Sequence, residues 1–239
     1  MRAQLTTVVL GLVQYERAHA LQQALVAART RDEIGDTLLL LEHPPVYTLG
    51  RGADEKFIVA RRPEVPVVRV SRGGQVTYHG PGQIVAYPIL KLEGADRDVG
   101  RYLRKLEQVM ILALGRHGIS SERREKLTGA WVGPRKIGSI GVGIRRWVTY
   151  HGLALNVNSN LSYFDAIIPC GIAGCEMTSL EQLGRADVDV TIFAETLAES
   201  FREVFGYQKA ARVEATELWN LVERPETNTV VSAHEAHQE

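Results

Sequence analysis

The chain has few cysteines, no excess of charge of either sign and no long apolar run, and each shortage closes a class of functions. Two cysteines in 239 residues cannot build a disulfide framework, so the sequence predicts a protein of a reducing compartment, the cytoplasm. Lysine plus arginine and aspartate plus glutamate balance at 28 each, so no global field draws the chain toward nucleic acid or an anionic membrane surface. Any steering belongs to local clusters, at Arg101, Arg104 and Lys105, at Arg123, Arg124 and Lys126, or at Arg145-Arg146. The longer apolar stretches, such as residues 37–41 and 109–114, fall far short of the roughly 20 residues that a spanning helix needs. The start of the chain has no apolar core ending in a small-residue cleavage site, so no secretory leader is expected. What is present, 45% hydrophobic and 23% charged residues, suits one globular domain with a full core.

Periodicity sketches that domain. Residues 4–13 read as a strand and 15–31 as a helix with Ala18, Leu21, Leu25 and Ala28 on one face. The run 37–41 reads as a buried strand, 46–52 as a short strand and turn, 67–70 and 84–90 as strands joined by a glycine-rich loop, and 53–64 as connection. Asp98 caps a helix to about His117, with Val99, Leu103, Leu106, Met110 and Ala113 on its buried face and Gly118 as its stop. A hairpin turns at Gly133-Pro134, 147–157 is a further strand, and 191–205 and 214–222 are helices, followed by a polar tail from Glu223 that is expected to be disordered. No internal repeat or long linker interrupts the chain. Strands in runs with helices inserted singly predict an α+β fold, a single domain with a mixed β-sheet flanked by helices.

Two stretches carry chemistry. Lys136 opens a strand, just after the hairpin turn, whose residues alternate between apolar side chains and Gly or Ser, and Cys170 sits between Pro169 and Gly171 in a turn at the end of a long loop from Asn158. A buried cysteine is usually a small hydrophobe, but a cysteine in a turn gains access instead of packing, and a lysine beside it would suit a nucleophilic thiol. Lysine on a hairpin is otherwise usually a solvated charge. His79 and His151 are alternative bases, although a histidine beside a strand is more often structural. Cys175, five residues on, invites a zinc or disulfide reading that a C-x4-C spacing without a second ligand pair supports weakly. The loop 72–83 holds five glycines and prolines around Arg72, Gln75, Thr77, Tyr78 and His79, which makes it a binding loop or a sharp β-corner. It lacks the Gly-Lys-Ser/Thr ending of a phosphate loop.

The string Arg72-Gly73-Gly74-Gln75-Val76-Thr77-Tyr78-His79-Gly80-Pro81-Gly82-Gln83, with Lys136-Ile137-Gly138-Ser139-Ile140-Gly141, His151-Gly152-Leu153-Ala154-Leu155-Asn156-Val157 and Pro169-Cys170-Gly171, resembles the octanoyltransferases of lipoate biosynthesis over about residues 5–210. The resemblance implies the fold of the biotin and lipoate protein ligase catalytic domain over 1–212, with 213–239 as a C-terminal extension. It implies an acyltransferase that moves an octanoyl group from octanoyl-acyl carrier protein to a specific lysine of the lipoyl domains of 2-oxoacid dehydrogenase complexes and of the glycine cleavage H protein, in the first step of endogenous protein lipoylation. Cys170 is then the acyl-thioester nucleophile and Lys136 the cation that favours its thiolate and later takes the proton of the incoming amine. Arg72, Gly73, Gly74, Gln75, Val76, Thr77, Tyr78, His79, Ser139, Ile140, Gly141, Gly152, Leu153 and Ala154 would line the acyl site, with backbone N–H groups near Gly171 and the 139–141 strand holding the oxyanion. Such a transfer calls for no cofactor and no metal, and for no nucleic-acid or membrane partner. An ATP-dependent lipoate or biotin ligase, or a non-catalytic carrier-binding protein, are alternatives on the same fold.

Overall fold

Strand and helix periods sort the chain into layers in the computed structural model, which describes residues 2–223. β1 (Arg2–Leu12) feeds α1 (Tyr15–Thr30), and β2 (Asp36–Glu42) returns parallel to β1 with Leu39 opposite Val8. The chain then leaves for a small sheet in which β3 (Val46–Leu49) lies between β4 (Val67–Arg69), parallel to it, and β5 (Val76–His79), antiparallel. β6 (Gln83–Ile89) returns beside β2, and α2 (Val99–Arg116) crosses one face. β7 (Glu122–Arg124), β8 (Leu127–Val132), β9 (Arg135–Arg145) and β10 (Val148–Asn156) make the antiparallel half, before α3 (Val190–Phe205), β11 (Tyr207–Arg212) and α4 (Ala215–Glu223). The eight strands run in the order β11-β1-β2-β6-β10-β9-β8-β7. The expectation of a mixed sheet in an α+β domain holds.

Both faces of this sheet are covered, which is why its central strands read as unbroken apolar runs. Leu38 and Leu40 of β2 pack with Ile84, Leu153, Leu155 and the inner faces of α2 and α3, while Leu39 and Leu41 pack with Val85, Tyr87 and α1 on the other side. Burying a leucine fully contributes about 2 kcal/mol. α2 starts where Asp98 accepts a hydrogen bond from the Arg101 amide at 3.0 Å, a cap whose loss costs about 1 kcal/mol. α4 packs through Leu218 against the α1 layer, and Arg17 lies over the Trp219 ring at 4.1 Å. The polar tail beyond Glu223 lies outside the described residues. Among the described residues no helix is long and apolar enough to cross a membrane.

Three strands were not legible. β5 lies inside the stretch read as a glycine loop, because Gly73-Gly74 and Gly80-Pro81-Gly82 bracket only four strand residues. β7 and β11 are edge strands of mostly charged or polar residues, held by pairing to one neighbour and so free of the alternation that a buried face imposes. Val99, expected in the core, is 44% exposed and instead borders the cavity described next.

Candidate active site

The candidate nucleophile sits on a strained turn. The segment before it is anchored by Phe164, Ala166 and Ile167, buried against the small sheet, and by a hydrogen bond from the Ile168 amide to the Phe57 carbonyl at 2.8 Å. Pro169–Gly171 then make a single 3-10 turn, with Cys170 at φ 57° and ψ 14°, the left-handed region that costs an L-residue about 1–2 kcal/mol. Gly171 follows at φ 70°, where a side chain would also crowd Gln75 Cγ at 3.0 Å and Phe57 at 3.2 Å. The Gly171 amide donates to the Ile168 carbonyl at 3.0 Å. That N–H is therefore engaged within the turn.

Lys136 reaches this turn from β9. Both of its backbone groups are held by one segment, its amide donating to the Glu176 carbonyl at 2.8 Å and its carbonyl accepting from the Thr178 amide at 2.9 Å. The side chain is only 1% exposed, and its Nζ donates to Cys170 Sγ over 3.2 Å. The Trp131 ring lies 5.4 Å from the ammonium, a cation–π contact worth about 1–2 kcal/mol when desolvated. Among the described residues no carboxylate forms an ion pair with Lys136. Ser139 Oγ lies 3.9 Å from the same sulfur. Residues 136 and 139 are three apart and would face opposite ways on a regular strand. A bulge at Ile137 prevents this: Ala130 pairs with Gly138 but Trp131 with Lys136, so the extra residue reverses the alternation and turns Lys136 and Ser139 to one side.

The pair opens on a cavity of about 470 Å³. Ser139, Ile140 and Gly141 of β9 and Gly152, Leu153 and Ala154 of β10 line it. Arg72, Gly73, Gly74, Gln75, Val76, Thr77 and His79 line it from the small-sheet side. Tyr78 does not border it, since its ring is stacked on Tyr163 at 4.7 Å in the core of the small sheet. The glycines are there for room: a side chain at Gly141 would meet Arg72 Cδ at 2.8 Å, and one at Gly152 the Ala86 carbonyl at 2.1 Å. Arg72 is itself a brace, donating to the Thr48 carbonyl at 2.7 Å, the Thr48 hydroxyl at 2.8 Å and the Gly73 carbonyl at 2.9 Å. Burial lowers its pKa below the arginine norm, against opposing pulls from Tyr15, Cys170 and Tyr87. Gln75 spends its amide on the 52–54 backbone, accepting from Asp54 at 3.0 Å.

The two histidines are brought to the cavity but not to the sulfur. His79 Nδ1 is 2.7 Å from Gln83 Oε1, His151 Nε2 is 3.4 Å from Ser71 Oγ, and both rings belong to a buried patch with Tyr15, His43 and Tyr87. Burial holds both near pKa 3 and His43 near 4, so all three are neutral at pH 7. Cys175 is half-buried on the far side of the turn, borders a different groove, and has its thiol pushed up by burial against the pull of Lys136. Its zinc reading finds no support among the described residues, where no three His, Cys, Asp or Glu side chains are grouped as ligands. Sequence reasoning missed Tyr15, Tyr87, Trp131, Gly129 and Glu107. Two of these left a signal: a lone glycine in a strand marks close approach, and Glu107 is a charge on the apolar face of a helix.

Residues 14–202 match the family model described as the lipoyl protein ligase A/B catalytic domain. An octanoyltransferase of a Synechococcus strain is 47% identical over 84% of this chain and 82% of its own length. One from Solibacter usitatus is 47% identical over 83% of this chain and 92% of its own. Among solved structures, a bipartite lipoate protein ligase from Thermoplasma acidophilum superposes with a TM-score of 0.68 at 16% identity, over 93% of this chain and 91% of that one, a likeness of fold.

Proposed function

We propose, for a chain that belongs to the octanoyltransferases of the lipoyl protein ligase A/B catalytic family, that the acyl group travels from a carrier-protein thioester to a lipoyl-domain lysine by way of octanoyl-Cys170. The observation that carries this reading is the 3.2 Å contact of the buried Lys136 ammonium with a sulfur at the lip of a largely apolar cavity. A buried ammonium lacking a carboxylate partner is costly by several kcal/mol unless an anion faces it, and a thiolate at Cys170 supplies that anion. The cavity walls Val76, Ile140, Val142 and Leu153 take the eight-carbon chain.

The thiolate attacks the thioester carbonyl, the carbonyl oxygen becomes an oxyanion, and the carrier's thiolate departs with the carbonyl restored. The Lys136 ammonium and the Ser139 hydroxyl are the donors nearest the sulfur and face the charge as it forms. Once the carrier's thiolate has taken the Lys136 proton and the acceptor lysine has left its ammonium proton to solvent, the neutral amine of Lys136 is ready to take the second proton from the acceptor nitrogen as it attacks. That lysine's nitrogen then attacks octanoyl-Cys170, the amide forms, and the Cys170 thiolate is released beside a recharged Lys136. The acceptors on this reading are the lipoyl domains of 2-oxoacid dehydrogenases and the glycine cleavage H protein, and the donor is octanoyl-acyl carrier protein, in the cytoplasm.

The test is intact-mass measurement after mixing the protein with octanoyl-acyl carrier protein and no nucleotide. An octanoyl adduct that maps to Cys170 and disappears on adding a lipoyl domain is the expected result. A strict requirement for ATP with no adduct would move the chain to the ligases, and no transfer under either condition would leave a carrier-binding protein.

A further inference from the structure

Glu107 is a carboxylate in the wrong place for α2. It occupies the core-facing side of the helix, beside Leu106 and Met110, and is 1% exposed. One carboxylate oxygen meets Arg104 at 2.7 Å and Arg123 at 3.1 Å, both at the protein's edge. The other, Oε1, accepts a hydrogen bond from the Gly129 amide at 3.2 Å. An apolar residue would fill the same space at no desolvation cost, so packing alone does not account for an acid here.

Gly129 is the point at which this carboxylate touches the chemistry. It lies in β8 at φ 135°, a conformation open to glycine, and one residue before the irregular pairing that makes the bulge at Ile137. A side chain there would lie 2.7 Å from Lys136 Cε and 2.4 Å from the Gly138 carbonyl, so the bare Cα is the floor on which the lysine side chain rests. A bulge disrupts the ladder locally, and the Gly129 N–H finds its acceptor in Glu107 instead. Arg123 adds a second tie between α2 and the β7–β8 hairpin, donating to Gln108 at 2.7 Å and the Arg104 carbonyl at 3.2 Å.

We propose that Glu107 is a positioning residue for the acyl transfer: by holding the Gly129 amide it fixes the bulged register of β8 on β9, and with it the aim of Lys136 at Cys170. The proposal rests on the reading of Lys136 as the partner of the thiol. Glu107→Leu removes the acceptor at similar size, whereas Glu107→Gln keeps one oxygen for the Gly129 amide but gives up the charge and sets an NH2 donor where Oε2 now accepts from Arg104 and Arg123. With a small octanoyl thioester as donor, Glu107→Leu is expected to lower kcat by about tenfold or more with KM held within about twofold, and Glu107→Gln to recover most of it. The rate at which iodoacetamide alkylates Cys170, which needs no acyl substrate, should fall in Glu107→Leu in the direction of Lys136→Ala and stay near wild type in Glu107→Gln.

Wild-type kcat and alkylation per folded molecule in Glu107→Leu, with only thermal stability reduced, would overturn the proposal and make Glu107 a structural tie. Equal losses in the Gln and Leu variants, with the Gly129 amide still protected against hydrogen exchange in Glu107→Gln, would overturn the part played by that hydrogen bond. If Glu107→Leu does not fold, Gly129→Ala asks the same question from the other side, since it leaves the ion pairs intact and pushes on Lys136; unchanged kcat and alkylation in that variant would overturn the proposal. Failure of the wild type to transfer octanoyl at all would instead sink the proposed function, and the alkylation comparison would still decide the role of Glu107.

Discussion

Two groups of buried ionisable side chains border one cavity, and they differ in what burial has done to them. His43, His79 and His151 sit in a patch of rings with Tyr15 and Tyr87, where desolvation keeps the imidazoles neutral and their described polar contacts go to the Val13 carbonyl, Tyr87, Gln83 and Ser71. Lys136 is as buried as His151, yet it has a sulfur at 3.2 Å and an indole face at 5.4 Å. By residue type the histidines are the obvious bases and the lysine the obvious surface charge. On the proposed reading position reverses this, because a titratable group exchanges protons with a reactant only where the two meet.

The comparison breaks most sharply at the sulfur. Cys170→Ala is expected to abolish octanoyl transfer with the fold intact, and Cys175→Ala to keep most activity, since the second thiol borders a different groove. Because Cys170 holds a left-handed conformation, Cys170→Gly should be equally inactive but more stable than Cys170→Ala by about 1 kcal/mol in thermal or denaturant unfolding. Activity that survives in the Cys170 variants and vanishes with Cys175 would assign the nucleophile to the other cysteine.

A smaller and more selective effect belongs to Lys136. Arginine keeps a positive charge but gives up no proton near neutral pH, so Lys136→Arg should retain some alkylation of Cys170 while losing about 10²-fold or more in transfer to the lipoyl-domain lysine. Lys136→Ala should lose both. Single-turnover transfer run beside alkylation rate against pH, in the wild type and both variants, separates the two roles, and three identical pH profiles would return the histidines to consideration.

The histidine patch makes the mildest prediction, one of stability. The imidazoles are neutral in the fold, with pKa values near 4, 3 and 3, whereas in the unfolded chain they protonate below about pH 6.5. Their contribution is therefore complete above pH 6.5 and is lost as pH falls toward 4, at up to about 1.4 kcal/mol per pH unit for each ring. Urea unfolding at pH 7, 6 and 5 should show this decline, reduced in His43→Phe. A flat profile over that interval would mean that the rings are charged in the fold, and the contrast with Lys136 would fail.

Much of the molecule was readable beforehand because its signals are local. Alternation, a 3.6-residue period, the Asp98 cap and the Gly133-Pro134 turn depend on neighbours within a few residues, and they placed most strands and all four α-helices to within about two residues. Cys170 announced itself by the proline and glycine beside it. The edge strands did not: β7 is three charged residues with no alternation to read, and β11 takes its order from β1, about two hundred residues away.

What the sequence determined by itself is the set of chemical parts and the secondary structure that carries them: a thiol on a turn, a lysine opening a strand, glycines wherever chain or ligand must come close. What only the tertiary structure decided is which parts meet. The bulge at Ile137 turns Lys136 toward the sulfur, Gly129 leaves the side chain its room, Tyr78 goes into the small-sheet core while its neighbours face the cavity, and burial silences the histidines. The first two depend on how one hairpin is paired and the last two on contacts between residues tens of positions apart, and pairing register, excluded volume and desolvation are properties of such contacts rather than of the residues that make them.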